Sequence, residues 1–247
     1  MTENPNKLKT MKMLGLIGDS IFKRISFILE PGITTQKLND AACSTLKYQD
    51  CVPVFKGFGD PPFPAETCIS LNEEICHGIP SERPIRSGDL VSVDLGIQGG
   101  GFIVDACRTF EMGEMSKDAD FLNYWTKTAL KRALRHIKAG VCWNDIARII
   151  ENTAHKKGLG IVKDMCGHGV GSSLHEDPLL RNYICPENKD IFLQEGQTIC
   201  VEPMFSLGTG ECEIAENKWT VITKDRTLSS HWEHCVVITK NGCEILL

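Results

Sequence analysis

The 247 residues contain no apolar run approaching the roughly 18–20 residues that cross a bilayer. The first twenty, MTENPNKLKTMKMLGLIGDS, lack the continuous apolar stretch and small-residue cleavage site of a secretory leader. No surplus of positive charge exists: 27 Lys and Arg stand against 32 Asp and Glu, a net charge of −5, which gives no electrostatic footing for nucleic acid or an anionic membrane. No polar or low-complexity tract is long enough to imply disorder. The twelve cysteines never form C-x-x-C, so neither a zinc finger nor a disulfide framework is supported. Scattered through strand-like or helical runs, as at Cys43, Cys107, Cys200 and Cys235, they read as buried thiols of a reducing cytoplasm. The HExxH helix of many zinc peptidases is also missing, because in HEDPL Leu179 occupies the second histidine position and Pro178 breaks the helix.

What is present is an ordinary globular composition, 42% hydrophobic and 24% charged, long enough to bury a full core. The most informative stretch is Leu90 to Phe110, LVSVDLGIQGGGFIVDACRTF, two strand-like runs folded back at a glycine triplet. With Gly99 and Gly100 in a two-residue turn, Asp94 is expected opposite Asp105 on one sheet face. Opposed like charges destabilise a sheet, and carboxylates buried among Val and Leu are costly unless partnered. A bound cation would repair the pair; the alternative is a solvated Asp and a register displaced by one.

Along the chain, a helical stripe of Leu8, Met11, Leu14, Ile17, Ile21 and Ile25 predicts a helix over 6–29, stopped at Pro31-Gly32. Thr34 or Thr35 caps a second helix through Lys47 with an inner face of Leu38, Ala41, Ala42 and Leu46. A short strand over 52–55 precedes the irregular loop GFGDPPFP. TCISLNEEICHGIP reads as strand, turn and strand ending at His77, and two further helices are expected over 118–138 and 143–156. Strands over 219–223 and 232–239 bracket a loop, KDRTLSSH. An offset of 108 aligns Gly32 with Gly140, Leu38 with Ile146, Gly88 with Gly196 and Asp94 with Glu202, so the chain reads as two similar halves about a pseudo-two-fold axis where the acids meet. In CGHGVGSSLHEDP, Gly167, Gly169 and Gly171 place His168 and His175 on a glycine-rich strand and turn. Glu233, in SHWEHCVVI, needs a partner: a basic side chain, or the cation that three other acids also require.

Taken together, CISLNEEICHGIP, GDLVSVDLG with GGGFIVDACRTF, CGHGVGSSLHEDP, ICVEPMF and SSHWEHCVVITKNGCEIL resemble the motifs of the type I methionine aminopeptidases, over essentially the whole chain. The resemblance implies an α/β (α+β) pita-bread fold, a central antiparallel sheet with helices on its outer face, in one catalytic domain over 1–247 with halves of roughly 1–112 and 113–247. It implies two divalent ions, cobalt, manganese, iron or zinc, held by Asp94, Asp105, His168, Glu202 and Glu233, with Asp105 and Glu233 bridging. A metal-bridging hydroxide would attack the first peptide bond, Glu202 would also shuttle a proton, and His77 and His175 would act on the scissile amide and its carbonyl without binding metal. Cys68, Phe63, Phe58 and Trp219 would form the methionine pocket. Ser172, Ser173 and Leu174, and the loop over 57–62, depart from the family pattern at that pocket.

The substrate implied is a nascent polypeptide or peptide with N-terminal (initiator) methionine and a small second residue. The ribosome is admitted as a partner, although no basic tail or zinc knuckle marks a docking site, and a monomer is expected. A proline-specific aminopeptidase of the same fold and a non-catalytic pita-bread binding protein are the alternatives.

Overall fold

The computed structural model describes residues 6–247, in which four α-helices alternate with short strands in two successive blocks. The first block holds α1 (Lys7–Ile28), α2 (Thr35–Tyr48), β1 (Val52–Pro53), β2 (Cys68–Leu71), β3 (Glu74–Cys76), β4 (Leu90–Gly99) and β5 (Phe102–Glu111). The second holds α3 (Lys117–Leu134), α4 (Trp143–His155), β6 (Gly160–Ile161), β7 (Cys166–Gly169), β8 (Glu176–Arg181), β9 (Thr198–Val201), β10 (Met204–Ser206), β11 (Cys212–Ile214), β12 (Val221–Thr223), β13 (Ser229–His231), β14 (His234–Ile238) and β15 (Cys243–Ile245). No helix among the described residues is long and apolar enough to cross a membrane.

The helices form where apolar residues recur at helical spacing. Met11, Leu14, Ile17, Ile21 and Ile25 of α1 are all buried, whereas Leu8, at the head of the expected stripe, faces solvent. Thr34 caps α2 by accepting a hydrogen bond from Lys37 N (3.3 Å), and Ser116 does the same for α3 from Ala119 N (3.1 Å). The inner face of α2 is buried as its spacing predicts.

The offset that separates Gly32 from Gly140 is carried by the backbone itself. Gly32 N donates to Ile85 O (2.8 Å) and Gly140 N to Leu193 O (2.7 Å); the return bonds are Ile85 N to Ile33 O (2.8 Å) and Leu193 N to Val141 O (2.9 Å). Isolated bridges Thr34↔Pro84 and Cys142↔Phe192 occupy matching places. Gly32 and Gly140 both need their positive φ, +98° and +83°, to turn the chain into the following helix. Helices thus cover the outside of antiparallel sheets in two related halves.

In the first half β4 pairs along its whole length with β5, and its other edge takes β2 and β1. In the second the order is β15-β14-β9-β7-β8, all antiparallel. The sheets are stitched together by Glu233 N donating to Cys107 O (2.9 Å) and Ile103 N to Gly171 O (2.8 Å).

Two expectations are corrected. The hairpin turns at Gly100-Gly101 (φ +57° and +82°), one residue later than expected, so Asp94 pairs with Cys107 and Asp105 with Gly96. The two acids therefore sit diagonally on the same face instead of directly opposed. Strands β2 and β3, read from TCISLNEEICHGIP, join β4 and β12 respectively. The last residues of KDRTLSSH are strand, Ser229–His231, paired with Met204–Ser206.

Candidate metal centre

Register explains how the acids converge. His168, Cys200 and Cys235 stand in one cross-strand row, since His168 pairs with Cys200 and Cys200 with Cys235. Glu202 and Glu233 lie two residues further on, on that same face, where β9 and β14 give way to loops. From the other sheet come Asp94, flanked across the strands by Cys68 and Cys107, and Asp105. All eleven residues expected at the site line one cavity of about 360 Å³ between the sheets.

The four acids are buried, Asp105 and Glu233 to 4% and 2% exposure. Burial raises the pKa of Asp94, Glu202 and Glu233, and mutual repulsion raises it further: Asp105 and Glu233 act on Asp94, and Asp105 acts on both glutamates. Asp105 is raised by burial too. Asp94 Oδ1, Asp105 Oδ1 and Glu233 Oε1 have no hydrogen-bond partner. Protein interiors leave few such oxygens unpaired. Asp105, His168, Cys200 and Glu233 can bring one donor atom each within 4.8 Å of one another. A carboxylate-rich set with an imidazole fits divalent transition ions.

His168 is oriented for ligation. Its Nδ1 lies 2.9 Å from Gly169 O, an acceptor, so Nδ1 carries the hydrogen and the lone pair of Nε2 points inward. Nε2 is 3.5 Å from Glu202 Oε1 and 3.9 Å from Asp105 Oδ2. A β-bulge between His168 and Gly169 sets this direction. Burial lowers its pKa to about 4, which keeps the ring neutral.

His77 follows β3 in the left-handed region (φ +56°), a conformation unfavourable for a side-chain-bearing residue by roughly 1–3 kcal/mol. Gly78 beside it admits no side chain, because a Cβ would stand 2.3 Å from Ile69 O. Burial, then His175, brings the His77 pKa down to about 4. The His175 ring packs edge-on to His168 (4.5 Å between centroids) and Phe58 (5.2 Å) at the open rim.

The apolar end of the cavity is built by Trp219, edge-on to Phe63 (5.2 Å), with Cys68, Phe58 and Leu174. The 57–62 loop closes this end: Gly57 N donates to Phe63 O (2.8 Å), and Trp219 Nε1 donates to Pro61 O (3.0 Å).

A profile of metallopeptidase family M24 matches residues 9–240. This chain belongs to metallopeptidase family M24. A methionine aminopeptidase of Mycoplasma capricolum is 36% identical over 245 residues, 99% of this chain and 96% of that protein. The Escherichia coli K12 methionine aminopeptidase is 33% identical over 99% of this chain and 92% of its own length. Among solved structures, a methionine aminopeptidase from Thermotoga maritima superposes with a TM-score of 0.95 at 34% identity, covering 100% of this chain and 98% of that one. An Xaa-Pro dipeptidase from Bacillus anthracis shares the fold, with a TM-score of 0.77 at 22% identity over 98% of this chain and 61% of that one. The fold of this M24 chain is accordingly the pita-bread fold, and its recognition among the methionine aminopeptidases rests on full-length relatives.

Two residues at or beside the cavity of the M24 chain carry little signal of their own in the sequence. His231 is 2% exposed, with both ring nitrogens unpartnered and Nε2 3.8 Å from Glu202 Oε2. Burial, then His77, lowers its pKa to about 3. Its one signal in the sequence is the spacing of two from Glu233 in SHWEH, hidden where KDRTLSSH reads as loop. Cys200, read as one buried thiol among many, joins the donor cluster.

Proposed function

We propose that this chain is a dinuclear methionine aminopeptidase that removes the N-terminal, initiator methionine from nascent chains and peptides whose second residue is small. One observation carries the reading: three buried carboxylate oxygens without partners face a cavity whose other end is apolar and aromatic. Four carboxylates match the charge of two divalent ions, and the apolar end offers a soft wall to an unbranched thioether. Asp94, Asp105, His168, Glu202 and Glu233 would hold the ions. Bound there, such ions supply a water made acidic enough to attack an amide near neutral pH.

The remaining work belongs to side chains. Glu202, its pKa raised by burial, takes a proton from the attacking water and returns it to the leaving amine. His175 donates a hydrogen bond to the carbonyl oxygen as negative charge develops on it. His77 holds the scissile amide. Both rings have lowered pKa values and are neutral at pH 7, so they add no charge repelling the cations. The substrate reading makes the cytoplasm the place of action, the ribosome the source of substrate, and a monomer sufficient.

The test separates binding from chemistry. His77→Ala and His175→Ala are expected to retain two equivalents of Mn²⁺ or Co²⁺ by elemental analysis while losing roughly 10²–10⁴ in kcat, the range for a proton-transfer or oxyanion-binding group. Asp105→Ala should lose metal and activity together. Metal content falling in parallel with activity in the histidine variants would defeat the assignment.

A further inference from the structure

The five-donor set leaves out a sulfur that the fold places among its members. Cys200 is fully buried beside His168 in the cross-strand row, and its Sγ belongs to the group of four donor atoms within 4.8 Å of one another, with Asp105, His168 and Glu233. Opposite ligands of a six-coordinate ion with bonds of about 2.0–2.3 Å stand roughly 4.0–4.6 Å apart, so the four donors occupy a space close to that of one coordination sphere. Two of its members, Asp105 and Glu233, carry unpartnered buried oxygens that point to such an ion independently. The thiol already turns toward these donors: it lies 3.9 Å from the backbone oxygen of Asp105 and hydrogen-bonds the carboxyl of Glu233, a bond that ligation to a shared ion would replace.

We infer that Cys200 is a sixth donor, a thiolate ligand to the ion that His168 holds. This rests on the metal-centre reading proposed above. On binding, the thiol proton is released to solvent and the sulfur lone pair enters the metal's coordination sphere; nothing is oxidised or reduced. Thiolate is a soft ligand, so the site so built leans toward zinc, cobalt and iron over manganese, which prefers carboxylate and water.

The experiment uses the full-length, metal-stripped chain titrated with Co²⁺ alone and followed by absorption. The inference expects visible cobalt bands together with an intense near-ultraviolet thiolate-to-cobalt charge-transfer band. That band should vanish in Cys200→Ser and persist in Cys235→Ser, whose thiol adjoins it on the same face. Visible bands without charge transfer would remove Cys200 while leaving the metal centre intact. A band surviving Cys200→Ser would assign the sulfur to another thiol and overturn the inference. No cobalt bands at all would overturn the metal-centre reading and this inference with it. Should Cys200→Ser not fold, X-ray absorption on the unaltered cobalt-loaded chain decides: sulfur at about 2.3 Å supports the inference, and a shell of only nitrogen and oxygen at about 2.0–2.2 Å contradicts it.

Discussion

The carbonyl of Gly169 fixes which nitrogen of His168 faces the cavity, and small local choices of this kind decide the chemistry. Leu174 is another. It is buried and lines the apolar end with Phe58, Phe63 and Trp219. Adding a ring there overfills the space, at about 1–3 kcal/mol in a packed site. Leu174→Phe should therefore lower kcat/KM for Met-Ala-Ser by roughly tenfold relative to a substrate with N-terminal alanine, with far-ultraviolet circular dichroism unchanged. An unaltered ratio would place Leu174 outside the pocket. At this scale the acids are legible because buried charge among Val and Trp calls for a partner, whereas the histidines take their roles only from the family resemblance. The turn was misplaced by one because three adjacent glycines offer no side chain to choose between Gly99-Gly100 and Gly100-Gly101. His231 and Cys200 were missed because one His in an apparent loop, or one thiol among twelve, carries no local signature.

Among the elements, the helices were read closely because apolar spacing and caps mark them, as at Thr34 and Ser116. The short strands were harder to read. Glu202 falls just after β9 and Glu233 just before β14, in breaks that free their side chains for the cavity, so the pattern that bounds a strand fails where the site begins. The repeat gives the elements a test. Leu38 on α2 and Ile146 on α4 are related by the offset and are both fully buried under their sheets. Leu38→Ala and Ile146→Ala should each destabilise by about 2–5 kcal/mol in urea unfolding, as cavity-forming changes do. A cost below about 1 kcal/mol at either would show that its helix is not held by that contact.

For the whole molecule, the buried acids and imidazoles pull stability in opposite directions with pH. The raised carboxyl groups carry stability that is complete below their ordinary pKa of about 4 and is lost as pH rises through their folded values, because ionising them in the cavity is costly. The lowered imidazoles carry stability that is complete above about 6.5 and is lost as pH falls toward about 4 for His77 and His168 and about 3 for His231. The metal-free chain should thus lose stability on the alkaline side, where divalent ions compensate most, since ligation requires deprotonated acids. The rise in Tm on adding Mn²⁺ should be larger at pH 8 than at pH 6. A rise that is constant or shrinks with pH would mean that the acids do not hold the ion.

The decisive measurement takes metal-stripped enzyme, restores Mn²⁺ or Co²⁺, and follows cleavage of Met-Ala-Ser beside Leu-Ala-Ser and Ala-Pro-Pro. Metal-dependent release of methionine, with little cleavage of the other two, is the expected result. Preference for Ala-Pro-Pro, or no cleavage by folded protein carrying two ions, would contradict it.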